Sequence, residues 1–344
     1  MGVPFPRDTI VPPAHRDRLK ICTVTTLFLL PLLWAWELLF AENGSLSALA
    51  LYLPQHFYLV LPTLLLTIAL IKRRPRLALL SLLSLAFCLL FPLGWHLHLP
   101  SSSNPSTVRL VSFNIQRGEG DEPFVERTLH SLRPDIICLQ ETGLSTDLQL
   151  NAIGRHVALG FPGWNARYAG DVTTLSRFPI LSERIHPLPG TRRTLETVLQ
   201  TRSGPLRVLN THVSTHFKGD RTPTSKLDRL VLLYETAHPS AQVRLQQLPL
   251  LLSAVQSGDA RTPLVLTGDF NSPPRGYFYS GLRRELDDAF SHAGNGLGLT
   301  FPSRFPLMRI DYVLTRGVRA KRAFVGAPGG SDHRPLITDL EVFS

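Results

Sequence analysis

Cysteine is scarce in this chain, with only three in 344 residues. Cys22 and Cys88 fall inside apolar runs and Cys138 inside an apolar stretch that reads as a strand, with no CxxC pair. Neither a disulfide framework nor a cysteine-based zinc or redox site is written into such a pattern. Acidic residues are short as well: 26 Asp and Glu against 36 Lys and Arg leave a formal charge of +10. No aromatic-rich stretch suited to stacking nucleic-acid bases is evident. Apolar residues are abundant but uneven, since Leu, Ala, Phe and Trp crowd the N-terminal part while the remainder has the make-up of an ordinary soluble domain. That asymmetry implies a membrane part and a globular part.

The apolar runs are Ile21 to Ala41, Leu51 to Ile71 and Leu77 to about Leu97. Each approaches the roughly 20 residues that cross a bilayer core as a helix, so three transmembrane helices are expected, at about 21–41, 51–71 and 77–97 of a membrane region 1–99. A cleaved signal peptide would explain only the first. Arg7, Arg16, Arg18 and Lys20 precede the first run, and Lys72, Arg73, Arg74 and Arg76 lie between the second and third, whereas Glu42 to Ala50 holds no Lys or Arg. The positive-inside rule then puts the N-terminus and the 72–76 loop in the cytoplasm. After three crossings of the plasma (inner) membrane, the rest of the chain would lie outside the cytoplasm. Trp34, Trp36 and Trp95 fit an interfacial belt, and Glu37, His56, His96 and His98 sit close enough to run ends to reach headgroups.

Residues 100–106 are Ser- and Pro-rich and read as a linker to a globular domain, 107–344. Val108 to Asn114 and Asp135 to Glu141 read as strands on either side of a helix at Glu122 to Leu132. Asp171 to Pro179, Leu195 to Thr201 and Pro205 to His212 read as further strands. Val213 to Gln242 is polar and too long for an ordinary connection, and reads as an insert for substrate selection in which Leu227 to Tyr234 could form a short helix. An amphipathic helix at Val243 to Val255 leads into the central strand, Leu264 to Asp269, which delivers Asp269 and Asn271 to one face at its end. Met308 to Thr315 is a strand carrying Asp311, and a loop with Asp332 and His333 feeds the last strand, Leu336 to Val342.

Asn114, Glu141, His212, Asp269, Asn271, Asp311, Asp332 and His333 thus all fall at or near strand ends. Carboxylates gathered in one cleft repel one another unless a hard cation sits among them, and oxygen donors suit Mg²⁺ or Mn²⁺. In order and spacing, the strings SFNIQRG, PDIICLQET, LNTHV, LTGDFNSPP, RIDYVLTRG and GSDHRPL resemble the signature segments of the endonuclease/exonuclease/phosphatase superfamily. The resemblance implies an α/β fold, a four-layer α/β/β/α sandwich of the DNase I type, with a divalent metal at one end. It further implies Glu141 as principal metal ligand with Asn114 beside it and Asp332 as a second ligand. Asp269, assisted by Asn271, would orient or deprotonate the attacking water. His212 would donate to a phosphate oxygen, and Asp311 would fix His333 as base or electrostatic stabiliser. Ser176 and Arg177 also fall in a segment resembling the family's, Ser176 in a structural role.

A metal-dependent phosphoesterase held close to a bilayer favours a lipid headgroup or another membrane-near phosphate ester as substrate. Extracytoplasmic DNA or RNA is the alternative, supported by Lys218, Arg221, Lys226 and Arg229 of the insert. A catalytically inactive binding adaptor ranks third, because every matched position holds a chemically competent residue. No protein partner can be inferred.

Overall fold

The computed structural model describes residues 17–99, 107–119, 121–143, 151–190, 192–214 and 225–343. The expected linker, 100–106, lies outside them, as does 215–224 of the expected insert.

The N-terminal runs fold as helices of unequal length. α1 (Arg18–Phe40) continues through a 3-10 turn at Ala41–Asn43. Among the described residues this 26-residue rod is the one helix long and apolar enough to cross a bilayer. The second run is broken, because Pro54 has no N–H to offer and holds Leu53 extended (φ −73°, ψ 148°). α2 (Ser45–Tyr52) and α3 (Phe57–Ile71) therefore meet at a 69° bend. α4 (Pro75–Leu90) is 16 residues long and stops ahead of Pro92, short of the roughly 20 that a crossing needs. The expectation of three membrane-spanning helices is corrected accordingly: one helix qualifies, or two if the bent pair counts as one span.

Two residues near the ends of these helices are not free for headgroups. Glu37 is buried at 1% exposure and pairs with Arg275 of the globular domain at 3.1 Å. His96 exchanges backbone hydrogen bonds with Gly296 (3.0 and 2.9 Å), so the segment after α4 is stitched to that domain. The reading of Glu37 and His96 as interfacial residues is thus replaced by domain contacts.

The domain runs β1 (Val108–Asn114), α5 (Glu122–Leu132), β2 (Ile136–Gln140), α6 (Ala152–Leu159), β3 (Asn165–Ala169), β4 (Val172–Ser176), β5 (Ile180–Pro187), β6 (Arg193–Thr201) and β7 (Gly204–His212). It continues with α7 (Lys226–Gln256), β8 (Leu264–Asp269), α8 (Gly276–Arg283), β9 (Asp287–Asp288), α9 (Ala289–Ala293), β10 (Asp311–Arg316), β11 (Val318–Val325) and β12 (Leu336–Val342). Two six-stranded mixed sheets result, ordered β11-β12-β1-β2-β4-β3 and β5-β6-β7-β8-β10-β9.

Strand alternation builds the layers. Leu110, Ile136, Val208, Val265 and Leu336 point between the sheets, while Val111 and Phe113 pack with Val125 and Leu129 of α5 and Val157 of α6. On the other side Leu209, Leu266 and Tyr312 pack with Leu251 and Val255 of α7 and Phe278 of α8. Helices therefore lie outside both sheets, as the sandwich expectation requires.

The polar stretch after His212 is less separate than its composition suggests. Its second half, from Lys226, is continuous with the expected 243–255 helix in the 31-residue α7. Ala237 and Ala241 on that half pack against Ala48 of α2. This part of the expected insert belongs to the contact between the helical region and the domain.

Asp288, buried at the start of α9, accepts from the Phe290 and Ser291 amides, from Tyr279 Oη (2.6 Å) and from Arg309. Burial works against its charge, but the Arg309 guanidinium and these hydrogen bonds outweigh it and hold the carboxyl at about 2. Asp288→Asn leaves Arg309 buried without a counter-charge, with an expected loss of about 3 kcal/mol or more in denaturant unfolding. A carboxyl held low stabilises fully above its ordinary range near pH 4 and stops doing so as pH falls through about 2. The variant should therefore also show a flatter acid limb; an unchanged unfolding midpoint and acid limb would show that the pair contributes nothing.

Candidate active site

Register brings three of the sequence-expected residues side by side. β7 and β8 run parallel with His212 opposite Asp269, and β10 runs antiparallel to β8 with Asp311 opposite Asp269. In the facing sheet the parallel β1 and β2 end with Asn114 opposite Gln140, so Glu141 follows at the same end. Gly268 makes the close approach possible: its φ is +139°, and a Cβ there would lie 1.9 Å from the Thr211 carbonyl oxygen. Just beyond the strands the chain turns sharply, with Glu141 (φ 56°) and Asn271 (φ 46°) in the left-handed region. Such backbone is uncommon for residues with side chains and clusters at functional sites.

The side chains converge on Asp269. Asn114 Nδ2 donates to Asp269 Oδ2 at 2.9 Å and lies 3.3 Å from Glu141 Oε1. His212 Nε2 is 3.6 Å from Asp269 Oδ2 and 3.9 Å from Glu141 Oε1. His333 Nε2 is 3.8 Å from Asp269 Oδ2, and its Nδ1 is 2.9 Å from Asp311 Oδ2. The Asn271 amide N–H donates to Asp269 Oδ1 (2.8 Å), while its side-chain NH₂ donates to the Val213 carbonyl (3.1 Å) and leaves the carbamoyl oxygen available. Asp332 is fixed by its N–H to Gln116 Oε1 (3.1 Å) and by the Ser331 hydroxyl (3.4 Å). Ser176 serves locally, its Oγ accepting from the Phe178 N–H, and Arg177 lies 3.8 Å from Asp135.

Sequence reasoning missed Asp171 and Arg192. Asp171 Oδ2 is 2.7 Å from His212 Nδ1, and Arg192 contacts both Asp171 and His212. The site thus holds two imidazole–carboxylate pairs, His333 with Asp311 and His212 with Asp171. Asp171 sits one residue ahead of β4, where an Asp is an ordinary strand-start residue; the usable signal was that a His at a buried strand end needs a partner. Beneath the cleft Gln140 Nε2 donates to Asn210 Oδ1 (2.8 Å) and Asn210 Nδ2 to the Thr173 carbonyl (2.9 Å), tying the two sheets together.

Electrostatics follow from the crowding. Burial, then the nearby Asp311 charge, raise the Asp269 carboxyl, although His333 and His212 pull the other way. Burial also opposes a charge on His333, but Asp311 and Asp269 outweigh it and lift the imidazolium to about 10. Asp332 is raised by burial, with the neighbouring Glu141 and Asp269 charges adding to it and His333 opposing. Asp171, despite burial, is held below the usual carboxylate range by His212 and Arg192. At this end His212 Nε2 and Asp311 Oδ1 are buried without a hydrogen-bond partner. An excess of carboxylates with such orphaned atoms at the same end fits a hard divalent cation and an anionic ligand. Asp269, Asp311 and His333 also bring ligand atoms within 4.8 Å of one another. Both imidazoles, however, already bond carboxylates through Nδ1, so the oxygen-rich side formed by Glu141, Asn114 and Asp332 matches a hard cation better.

The model of the Endonuclease/Exonuclease/phosphatase family matches residues 111–333. No curated protein matches the chain by sequence. Among solved structures, the chain is similar to an endonuclease/exonuclease/phosphatase from Bacteroides vulgatus (TM-score 0.52, 18% identity, 69% of this chain and 99% of that one). A family protein from Bacteroides thetaiotaomicron is similar to the same degree (TM-score 0.52, 18% identity, 70% and 100%). So is D. rerio TDP2 complexed with single strand DNA product (TM-score 0.51, 16% identity, 69% and 100%). At these identities the likeness establishes the fold.

Asp171→Asn keeps the shape of the His212 pair and removes its charge. Turnover of a soluble phosphodiester is expected to fall about tenfold to a hundredfold, the range for losing a carboxylate that orients an imidazole. Wild-type turnover in this variant would show that the pair is structural only.

Proposed function

Because the chain belongs to the endonuclease/exonuclease/phosphatase family and is a metal-dependent phosphoester hydrolase, we propose that it is membrane-anchored and cleaves a phosphodiester or phosphomonoester at a bilayer surface, with a lipid headgroup as the favoured substrate. The observation that carries the reaction class is the convergence of Asn114, Glu141, His212 and His333 on Asp269. Glu141, Asn114 and Asp332 would hold Mg²⁺ or Mn²⁺, which when bound neutralises charge on the phosphate and leaving-group oxygens.

The chain's own groups supply the rest. Asp269, with Asn271 bracing it, accepts a proton from the attacking water or orients it, and burial that raises its carboxyl moves it towards the basicity a general base needs. His333, kept charged by Asp311, faces the phosphate as an electrostatic stabiliser. His212 Nε2, buried and unpartnered, donates to a phosphate oxygen while Asp171 holds the ring through Nδ1. Water attack in line with the leaving oxygen then needs little covalent chemistry from the protein, only aim and charge.

The membrane reading rests on α1 and on an apolar surface that includes Phe28, Leu32, Leu39 and Ile71, all exposed. Arg74 meets Asp17 at 3.4 Å, so the basic 72–76 loop shares an end with the start of α1, whereas Glu37 at the other end of α1 meets the catalytic domain. With α1 as the spanning helix and its basic end in the cytoplasm, the catalytic domain lies outside. A nuclease is the second reading, favoured by one observation: the similar D. rerio TDP2 is complexed with single strand DNA product.

Full-length protein in nanodiscs, offered bis(nitrophenyl) phosphate, plasmid DNA, and vesicles carrying sphingomyelin or phosphoinositides, tests these statements together. Hydrolysis is expected to need Mg²⁺ or Mn²⁺, to stop on chelation, and to be faster on vesicle substrates than on DNA. Glu141→Gln should raise the metal concentration for half-activity by about tenfold or more, with partial rescue at high metal. Full activity after metal stripping would sink the mechanism, and preference for DNA would turn the substrate reading to the nuclease. An alkaline-phosphatase fusion after Ser344 is expected to be active; an inactive fusion alongside a fluorescent cytoplasmic reporter would reverse the orientation.

A further inference from the structure

The helical region makes polar contacts with the domain that an anchor does not need. Arg275, 5% exposed, lies 3.1 Å from Glu37 Oε1 and donates to the backbone carbonyls of Leu51 (2.6 Å) and Pro92 (3.2 Å). Glu42, fully buried, accepts from the Tyr277 amide (2.7 Å) at the start of α8. The chain makes room for it: Gly276 has φ +79°, and a Cβ there would fall 2.4 Å from Glu42 Oε1. A buried charge costs stability unless it is paired, and Glu37 and Arg275 pair with each other at 3.1 Å.

One of these contacts reaches the two arms of the active site. Tyr52 Oη on α2 accepts from Arg244 Nε (3.0 Å), with the guanidinium also over the Tyr52 ring at 4.5 Å, and lies 3.4 Å from Ser272 Oγ. Arg244, 1% exposed, also donates to the Ser214 carbonyl (3.2 Å). Ser214 lies two residues after His212, and Ser272 follows Asn271 directly. Between them, Val213 N–H donates to the Asp269 carbonyl (2.9 Å) and Asn271 Nδ2 to the Val213 carbonyl. Tyr52 therefore grips the segments leaving β7 and β8, which carry His212 and Asp269.

We propose that the N-terminal helices are part of the catalytic frame, with Tyr52, acting through Arg244 and Ser272, as a positioning residue that fixes the Asp269–Asn271 turn against His212. The inference rests on the hydrolase reading. It predicts that a change inside the helical region, out of reach of substrate, alters the chemical step and not substrate binding.

Two isosteric variants of the full chain in nanodiscs separate positioning from docking. Tyr52→Phe removes the hydroxyl between Arg244 and Ser272. Tyr277→Phe removes a docking bond to the Leu39 carbonyl (2.6 Å) that does not touch the turn. For bis(nitrophenyl) phosphate, Tyr52→Phe is expected to lower kcat about five- to twentyfold with KM within about twofold, since slight misplacement of reacting groups is costly. Because Asn114 on the metal side donates to Asp269 Oδ2 (2.9 Å), a displaced turn should also raise the Mn²⁺ concentration for half-saturation in titration calorimetry by about threefold or more, while Tyr277→Phe leaves both readouts at wild type. Equal kcat and equal Mn²⁺ affinity in the two variants and wild type would overturn the proposal, with thermal melting confirming that both are folded. If wild type itself fails to hydrolyse the diester, the functional reading falls, and the Mn²⁺ titration alone decides: unchanged affinity in Tyr52→Phe overturns the positioning role.

Discussion

The structure depends on balancing negative charge at one end of a two-sheet sandwich. Asp269, Asp311, Glu141 and Asp332 are brought there by strand register and by the loops that follow, and Asp269 and Asp311 are almost wholly buried. Carboxylates so placed cannot all stay ionised in a low-dielectric setting without compensation. Part of it is visible: His333 is driven towards its cation, Asn114 gives Asp269 a hydrogen bond, and Arg192 and His212 hold Asp171 ionised. The remainder is what a divalent cation and a phosphate ester would bring, and the same charge imbalance that costs the fold stability is what gives the cleft its affinity for them.

Strand geometry and polar clamps share the work of positioning. Parallel pairing of β7 with β8 and antiparallel pairing of β8 with β10 set His212, Asp269 and Asp311 in one row with no freedom of register. A slip of one residue would send every side chain of the central strand to the other face. Beyond the strand ends the backbone must leave the sheet abruptly, and there the fold relies on hydrogen bonds from Tyr312 to the Ser272 carbonyl and from α7 and α2 to the outgoing arms. The helical region thus meets the domain at the end where the cleft lies.

Much of this was legible in the sequence for a physical reason: a strand that ends in a polar residue betrays itself by the contrast between its apolar body and its tip. Asn114, Glu141, His212 and Asp269 all stand out in this way, and their placement together follows from the α/β arrangement. Asp171 and Arg192 did not stand out, because each begins a segment instead of ending one, and what they do is fix His212 across the sheet. The helical region was legible as apolar and misjudged in length, since hydropathy averages over Pro54 and Pro92, ahead of which α2 and α4 end. Glu37 looked like an interfacial residue because its partner, Arg275, lies more than two hundred residues away. Contacts of that range leave no trace in local pattern.

The central claim is that this cleft holds a divalent cation on its oxygen-rich side. The most direct measurement is an anomalous difference map from crystals of the full chain grown with Mn²⁺. The account predicts a peak within about 2.5 Å of a Glu141 carboxylate oxygen, with Asn114 or Asp332 completing the protein ligands. An ordered cleft with no such peak at saturating Mn²⁺, or a peak that Glu141 does not touch, would contradict it.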